Sequence, residues 1–188
     1  MNHFDYYPGT PKGRGSSVHF DSSNERFRVA KEQANKPVVA IKTIIELVNR
    51  FLASNDMLVI NKPRMCLSRL DYSQLQNSYQ LVDQRDIVWM KFTADGYLGV
   101  VATSDDINYE MPTCESDYHI KDEDGKWAYN TSGIIIHYLK KSWDKKFVLV
   151  FPLVNIPKGK TRGDVERGIG NYLIDNGVPI LDFYSHNY

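Results

Sequence analysis

Apolar residues recur at helical spacing in the first half of the chain and alternate with polar ones from about residue 86 onward. In the stretch NKPVVAIKTIIELVNRFLASND, residues 35–56, Val38, Ile41, Ile45, Val48 and Leu52 follow one another at intervals of three and four. That spacing predicts one long amphipathic helix, with Pro37 in its first turn. Lys42, Glu46, Asn49 and Arg50 fall on the opposite side, and Glu46 with Arg50 forms a favourable i,i+4 pair. MLVI, residues 57–60, reads as a short buried strand. Residues 70–82 read as a weaker helix, capped by Asp71 with Gln74 in the capping-box position.

The alternating half predicts three hairpins. Residues 86–104 turn at Asp95-Gly96, a pair that accepts positive φ. Residues 117–130 turn at 122–125, and residues 132–154 turn near 142–145. GIIIHYL (133–139) and KFVLVFPLV (146–154) are apolar on both faces, which predicts central strands. A helix over 161–176, stopped at Gly177, and a last strand, VPILDFYS (178–185), complete a βαβ crossover with parallel neighbours.

The fold class expected is therefore α+β: a mostly antiparallel β-sheet of hairpins, packed by a long N-terminal helix, with a C-terminal βαβ crossover. No internal repeat is present. Residues 1–25, rich in Gly, Pro and Ser, are expected to form a flexible N-terminal arm ahead of a single domain over 26–188.

Composition narrows function more than it defines it. The 188 residues carry 23 basic and 23 acidic side chains, so no global field draws the chain to nucleic acid or membrane. Charge is uneven along the sequence. Residues 105–124 are acidic, and residues 140–167 are basic. Two cysteines, Cys66 and Cys114, do not make a disulfide scaffold. With no secretion-signal pattern and no membrane-length apolar run, the expectation is a soluble cytoplasmic protein with buried, reduced thiols.

Near the C-terminus, IPKGKTRGDVERGIGNYLIDNG contains three familiar fragments. Gly159-Lys160-Thr161 lacks the earlier glycine of a phosphate loop; Val154 stands there, and Pro157 removes an amide donor. Arg162-Gly163-Asp164 has no role in an intracellular protein. Gly168-Ile169-Gly170 lacks dinucleotide-fingerprint spacing, and its glycines are expected to let the helix approach the sheet closely. The anion- or partner-binding candidates that remain are Lys158, Lys160, Thr161 and Arg162, ahead of a helix N-terminus that favours negative charge.

Asp182, Ser185 and His186 cannot form a triad within one strand, because Asp182 and His186 would lie about 13 Å apart. Cys66, Cys114, His119 and His137 lack the paired spacing of a zinc site, and His137 is expected to be a satisfied core histidine. The order of elements is similar in topology to a nuclease core, but both expected central strands lack that core's carboxylates.

The leading expectation is a non-catalytic interaction protein, an accessory or inhibitor protein of bacterial or phage origin. It would engage a protein or nucleic-acid partner through charged and tyrosine-rich surface; 12 tyrosines are present. No cofactor is expected. The alternative is a metal-dependent enzyme acting on a phosphate-bearing or nucleic-acid substrate, with Asp105, Asp106, Glu110 and His119 as the catalytic candidates.

Overall fold

In the computed structural model, the described residues are 2–7, 25–66, 85–106, 119–121, 127–129 and 132–185. Helices α1 (Glu25–Ala34) and α2 (Ile41–Ser54) precede strands β1 (Arg64–Cys66), β2 (Arg85–Phe92) and β3 (Leu98–Asp106). A small pair, β4 (His119–Lys121) and β5 (Trp127–Tyr129), leads to helix α3 (Ser132–Tyr138), strand β6 (Phe147–Pro152) and helix α4 (Arg162–Asp175). The fold is α+β. Its main sheet has four strands in the order β1-β6-β2-β3, antiparallel throughout, and β4 pairs with β5 separately.

Alternation along the strands assigns the two faces. Phe147, Leu149 and Phe151 of β6 join Val88, Met90 and Phe92 of β2 under α2 and α4. Val100 of β3 joins Phe27, Ile134, Ile135, Trp143 and Leu181 on the other face, under α1 and α3. Strand β6 lies between β1 and β2 and is buried at every position, so it carries no polar alternation.

Several expectations are corrected. The long helix begins at Ile41 rather than near Pro37, and its buried stripe is Ile44, Leu47, Val48, Phe51 and Leu52. Val38 is exposed, and Ile41 and Ile45 are only partly buried. Residues 57–60 form no strand, although the Leu58 amide donates to the Val154 carbonyl. The predicted weak helix over 70–82 lies outside the described residues. The β2–β3 hairpin forms, but its loop has three residues: Thr93 and Tyr97 close around Ala94, Asp95 and Gly96. Gly96 takes φ +93°, the left-handed conformation that such a loop needs.

GIIIHYL is a helix, not a strand. Its three isoleucines are all buried, so no polar position marks a helical period, and β-branching pointed to a strand. His137 is consequently exposed on α3 rather than held in the core. The terminal segment contributes one isolated parallel bridge, Ile180 to Leu98 on β3, so the expected strand after α4 is absent and no βαβ unit with β6 forms. Cys66 is exposed, not buried. Cys114 lies outside the described residues.

The ends of α4 follow local chemistry closely. Thr161 is the N-cap; its side chain accepts from the Asp164 amide while the Asp164 carboxylate accepts from the Thr161 amide, a capping box. At the other end Gly177, with φ +80°, lets its amide reach Ile174 and the Val178 amide reach Leu173. Val165, Ile169 and Leu173 are fully buried between these caps.

Candidate anion-binding cleft

The loop leaving β6 folds back before α4 begins. Asn155 takes φ +63°, and the Lys160 amide donates to the Pro157 carbonyl, closing a tight turn. Gly159 occupies the third position of that turn with φ +79°. The glycine of the GKT fragment thus serves a turn, not a phosphate cradle. It places Lys158 at the tip and Lys160 at the foot.

This turn forms one wall of an open cleft of about 750 Å³. The lining includes Asp86, Thr103, Lys158, Lys160, Arg162, Glu166 and Ser185. Sequence reasoning missed Asp86, Thr103 and Glu166 as parts of a site, because they come from β2, β3 and the second turn of α4. Asp86 sits at φ +64°, which aspartate tolerates better than most residues. Its backbone carbonyl accepts from Leu153, and its carboxylate accepts from Arg162 Nη1 at 2.9 Å.

The four anion-binding candidates therefore divide by role. Arg162 is engaged by Asp86, and Thr161 is engaged by the cap. Lys158 is exposed at the rim, and Lys160 places its Nζ 5.0 Å from the centre of the Phe4 ring. Neither lysine is held by a carboxylate among the described residues. Glu166, 8% exposed, also lines the cleft, and Asp86 there is paired with Arg162.

The helix terminus itself is already complemented. Partial burial raises the Asp164 carboxyl, but hydrogen bonds from the Thr161 amide and hydroxyl and from Arg167 outweigh it and hold its pKa below the ordinary 3.8. A carboxyl with a lowered folded pKa stabilises the native state above its unfolded value, and that contribution is lost as pH falls through the folded value. Replacing Thr161 by alanine is expected to cost about 1 kcal/mol. In Asp164→Asn, the part of the acid destabilisation that sets in below pH 3.8 should shrink. Urea midpoints measured from pH 6 down to pH 2 check both.

The backbone of the catalytic candidates that are described falls on two separate sheets. Asp105 and Asp106 end β3, with Asp106 opposite Arg85, and His119 pairs with Tyr129 in the separate two-stranded sheet. Glu110 lies outside the described residues. Asp182 is fully buried; it accepts from Arg26 Nε at 2.9 Å, Arg26 Nη2 at 2.6 Å and Ser132 Oγ at 2.6 Å. The Ser185 hydroxyl donates to the Asp182 carbonyl at 2.8 Å. These contacts anchor the terminal segment to α1 and α3. Among the described residues no three His, Cys, Asp or Glu side chains converge to hold a metal ion, and no helix is long and apolar enough to cross a membrane.

Comparison with family models, with characterised proteins and with solved structures finds no match to this chain.

Proposed function

We propose that the chain is a binding protein that presents Lys158 and Lys160 to carboxylates on a partner protein. The observation carrying this reading is the turn at residues 157–160, which is fixed by its own hydrogen bond and by the capping box behind it, while its two ammonium groups meet no carboxylate among the described residues. A preformed turn spends little ordering entropy on binding. Zero net charge favours local, paired contacts with a protein over the long-range attraction that nucleic acid requires. The metal-dependent alternative has no converging ligand set among the described residues to favour it.

A hexaglutamate peptide is a suitable probe. The Lys158→Ala/Lys160→Ala chain is expected to bind it about ten-fold more weakly than the parent, with an unchanged melting temperature and a parent affinity that falls with salt. Arg162 is left intact because its loss would free Asp86. Equal affinities for parent and variant would reject the lysine lip. Tighter binding of a single-stranded oligonucleotide than of hexaglutamate would move the reading to a nucleic-acid partner.

A further inference from the structure

Residues 2–7 are seated on α4. The side-chain amide of Asn171 donates to two backbone carbonyls of this strap, His3 at 2.9 Å and Asp5 at 2.8 Å. Arg167 Nη1 donates to the carbonyl between them, that of Phe4, at 3.2 Å. Three successive carbonyls are thus read by two side chains one helical turn apart. These contacts recognise peptide backbone and make no demand on side-chain identity.

Side-chain selection centres on one slot, with His3 against Asp175 and Tyr172 and the Tyr6 ring against Arg167 beside it. The Phe4 ring lies against Phe51, with ring centres 5.6 Å apart, and over Gly168. A methyl group on Gly168 would stand 3.2 Å from Phe4 Cδ1 and 2.5 Å from Phe51 Cζ, so the slot exists because residue 168 has no side chain. Asn171 is fully buried, yet among the described residues its Oδ1 accepts no hydrogen bond. The resident strap therefore leaves one buried acceptor in the groove unmet, a cost of the kind that an exchangeable ligand can relieve.

We propose that this face of α4, with Phe51 of α2, is a peptide-docking site that the chain fills with its own residues 2–7. Its ligand is a turn-forming peptide with one aromatic anchor and open carbonyls on the anchor and on both flanking residues. The strap itself has that form: the Asp5 amide donates to the Asn2 carbonyl, and Phe4 follows His3 within the turn. Exchange of the strap for a partner peptide would also withdraw the Phe4 ring from Lys160. That consequence rests on the lysine-lip reading above, whereas the peptide site does not.

The test uses the full chain carrying Phe4→Ala, which weakens the resident strap, and a synthetic peptide of residues 1–7 as the probe. The peptide is expected to bind saturably. A Phe4→Ala peptide should bind about ten-fold more weakly, and so should the unaltered peptide on a Phe4→Ala/Asn171→Ala chain. No binding to a folded Phe4→Ala chain, or equal binding of both peptides, overturns the proposal. Hydrogen exchange on the unaltered chain keeps it testable if Phe4→Ala does not fold. Amides of residues 2–7 should exchange through a local opening, about ten-fold or more faster than the buried amides of α4. A common rate for strap and helix would mean that the strap opens only with global unfolding, which also overturns it. Hexaglutamate titrated onto the same chains reports separately on the lysine lip.

Discussion

Replacing Asp182 by alanine is expected to destabilise the fold by about 3–5 kcal/mol, the range for removing one partner of a buried ion pair. Asp182 is fully buried and meets Arg26 at two nitrogens and Ser132 at its hydroxyl. Arg26 is itself only 7% exposed. The loss comes mainly from leaving the guanidinium without its carboxylate in a poorly solvated place, since the intact pair also carries a desolvation cost. Two further variants separate these terms. Asp182→Asn should fall between the parent and Asp182→Ala, because it keeps the shape and one acceptor oxygen. Arg26→Met/Asp182→Leu should recover most of the stability. Urea denaturation measures all three, and a loss under about 1 kcal/mol for Asp182→Ala would show that this contact does not fasten α1 to the terminal segment.

The second large effect centres on Phe51. Phe51→Ala should cost about 3–5 kcal/mol, because the ring is 2% exposed and lies among His3, Phe4 and Tyr172. Gly168 reports on the same contact with a sign that depends on background. In the parent chain Gly168→Ala drives a methyl to 2.5 Å from Phe51 Cζ, and overpacking of this kind costs about 1–3 kcal/mol. In the Phe51→Ala chain that clash is gone, and alanine's better helix propensity should make Gly168→Ala stabilising by about 1 kcal/mol. The Phe4 ring is the remaining close neighbour, and it sits on a terminal strap that can shift. Thermal melts of the four chains complete the cycle. An unchanged sign across the two backgrounds would place the glycine's role elsewhere.

These two sites also show where sequence reasoning stopped. The Gly168-Ile169-Gly170 run was legible as a close approach, but the approach of Gly168 is to Phe51 and Phe4, not to the sheet. Glycine records that something comes near without recording what. Asp182 was visible as one member of a suggestive cluster, while its partner Arg26 lies 156 positions away with no pattern linking them. The cleft was half legible. Lys158 and Lys160 stand in a loop that Pro157 and Gly159 announce, whereas Asp86, Thr103 and Glu166 reach it only through strand pairing and the packing of α4. Thr161 and Arg162 looked like ligands, but Thr161 is engaged locally by Asp164 in the capping box, and Arg162 by Asp86, which the fold brings to it.

The sequence by itself determined the elements whose cause is local. Helix α4 follows from its capping box, its buried stripe at Val165, Ile169 and Leu173, and the glycine at its end. The β2–β3 hairpin follows from alternation around Asp95-Gly96, and the interior place of β6 from an apolar run with no polar face. Tertiary structure alone decided α3, where Ile134, Ile135 and Ile136 are buried together and no polar face discloses the period. It also decided the path of residues 178–185, which trade a strand for one bridge and a buried ion pair. The strap rests on the same kind of cause: its carbonyls are satisfied by side chains more than 160 positions away, and no local pattern encodes contacts at that distance.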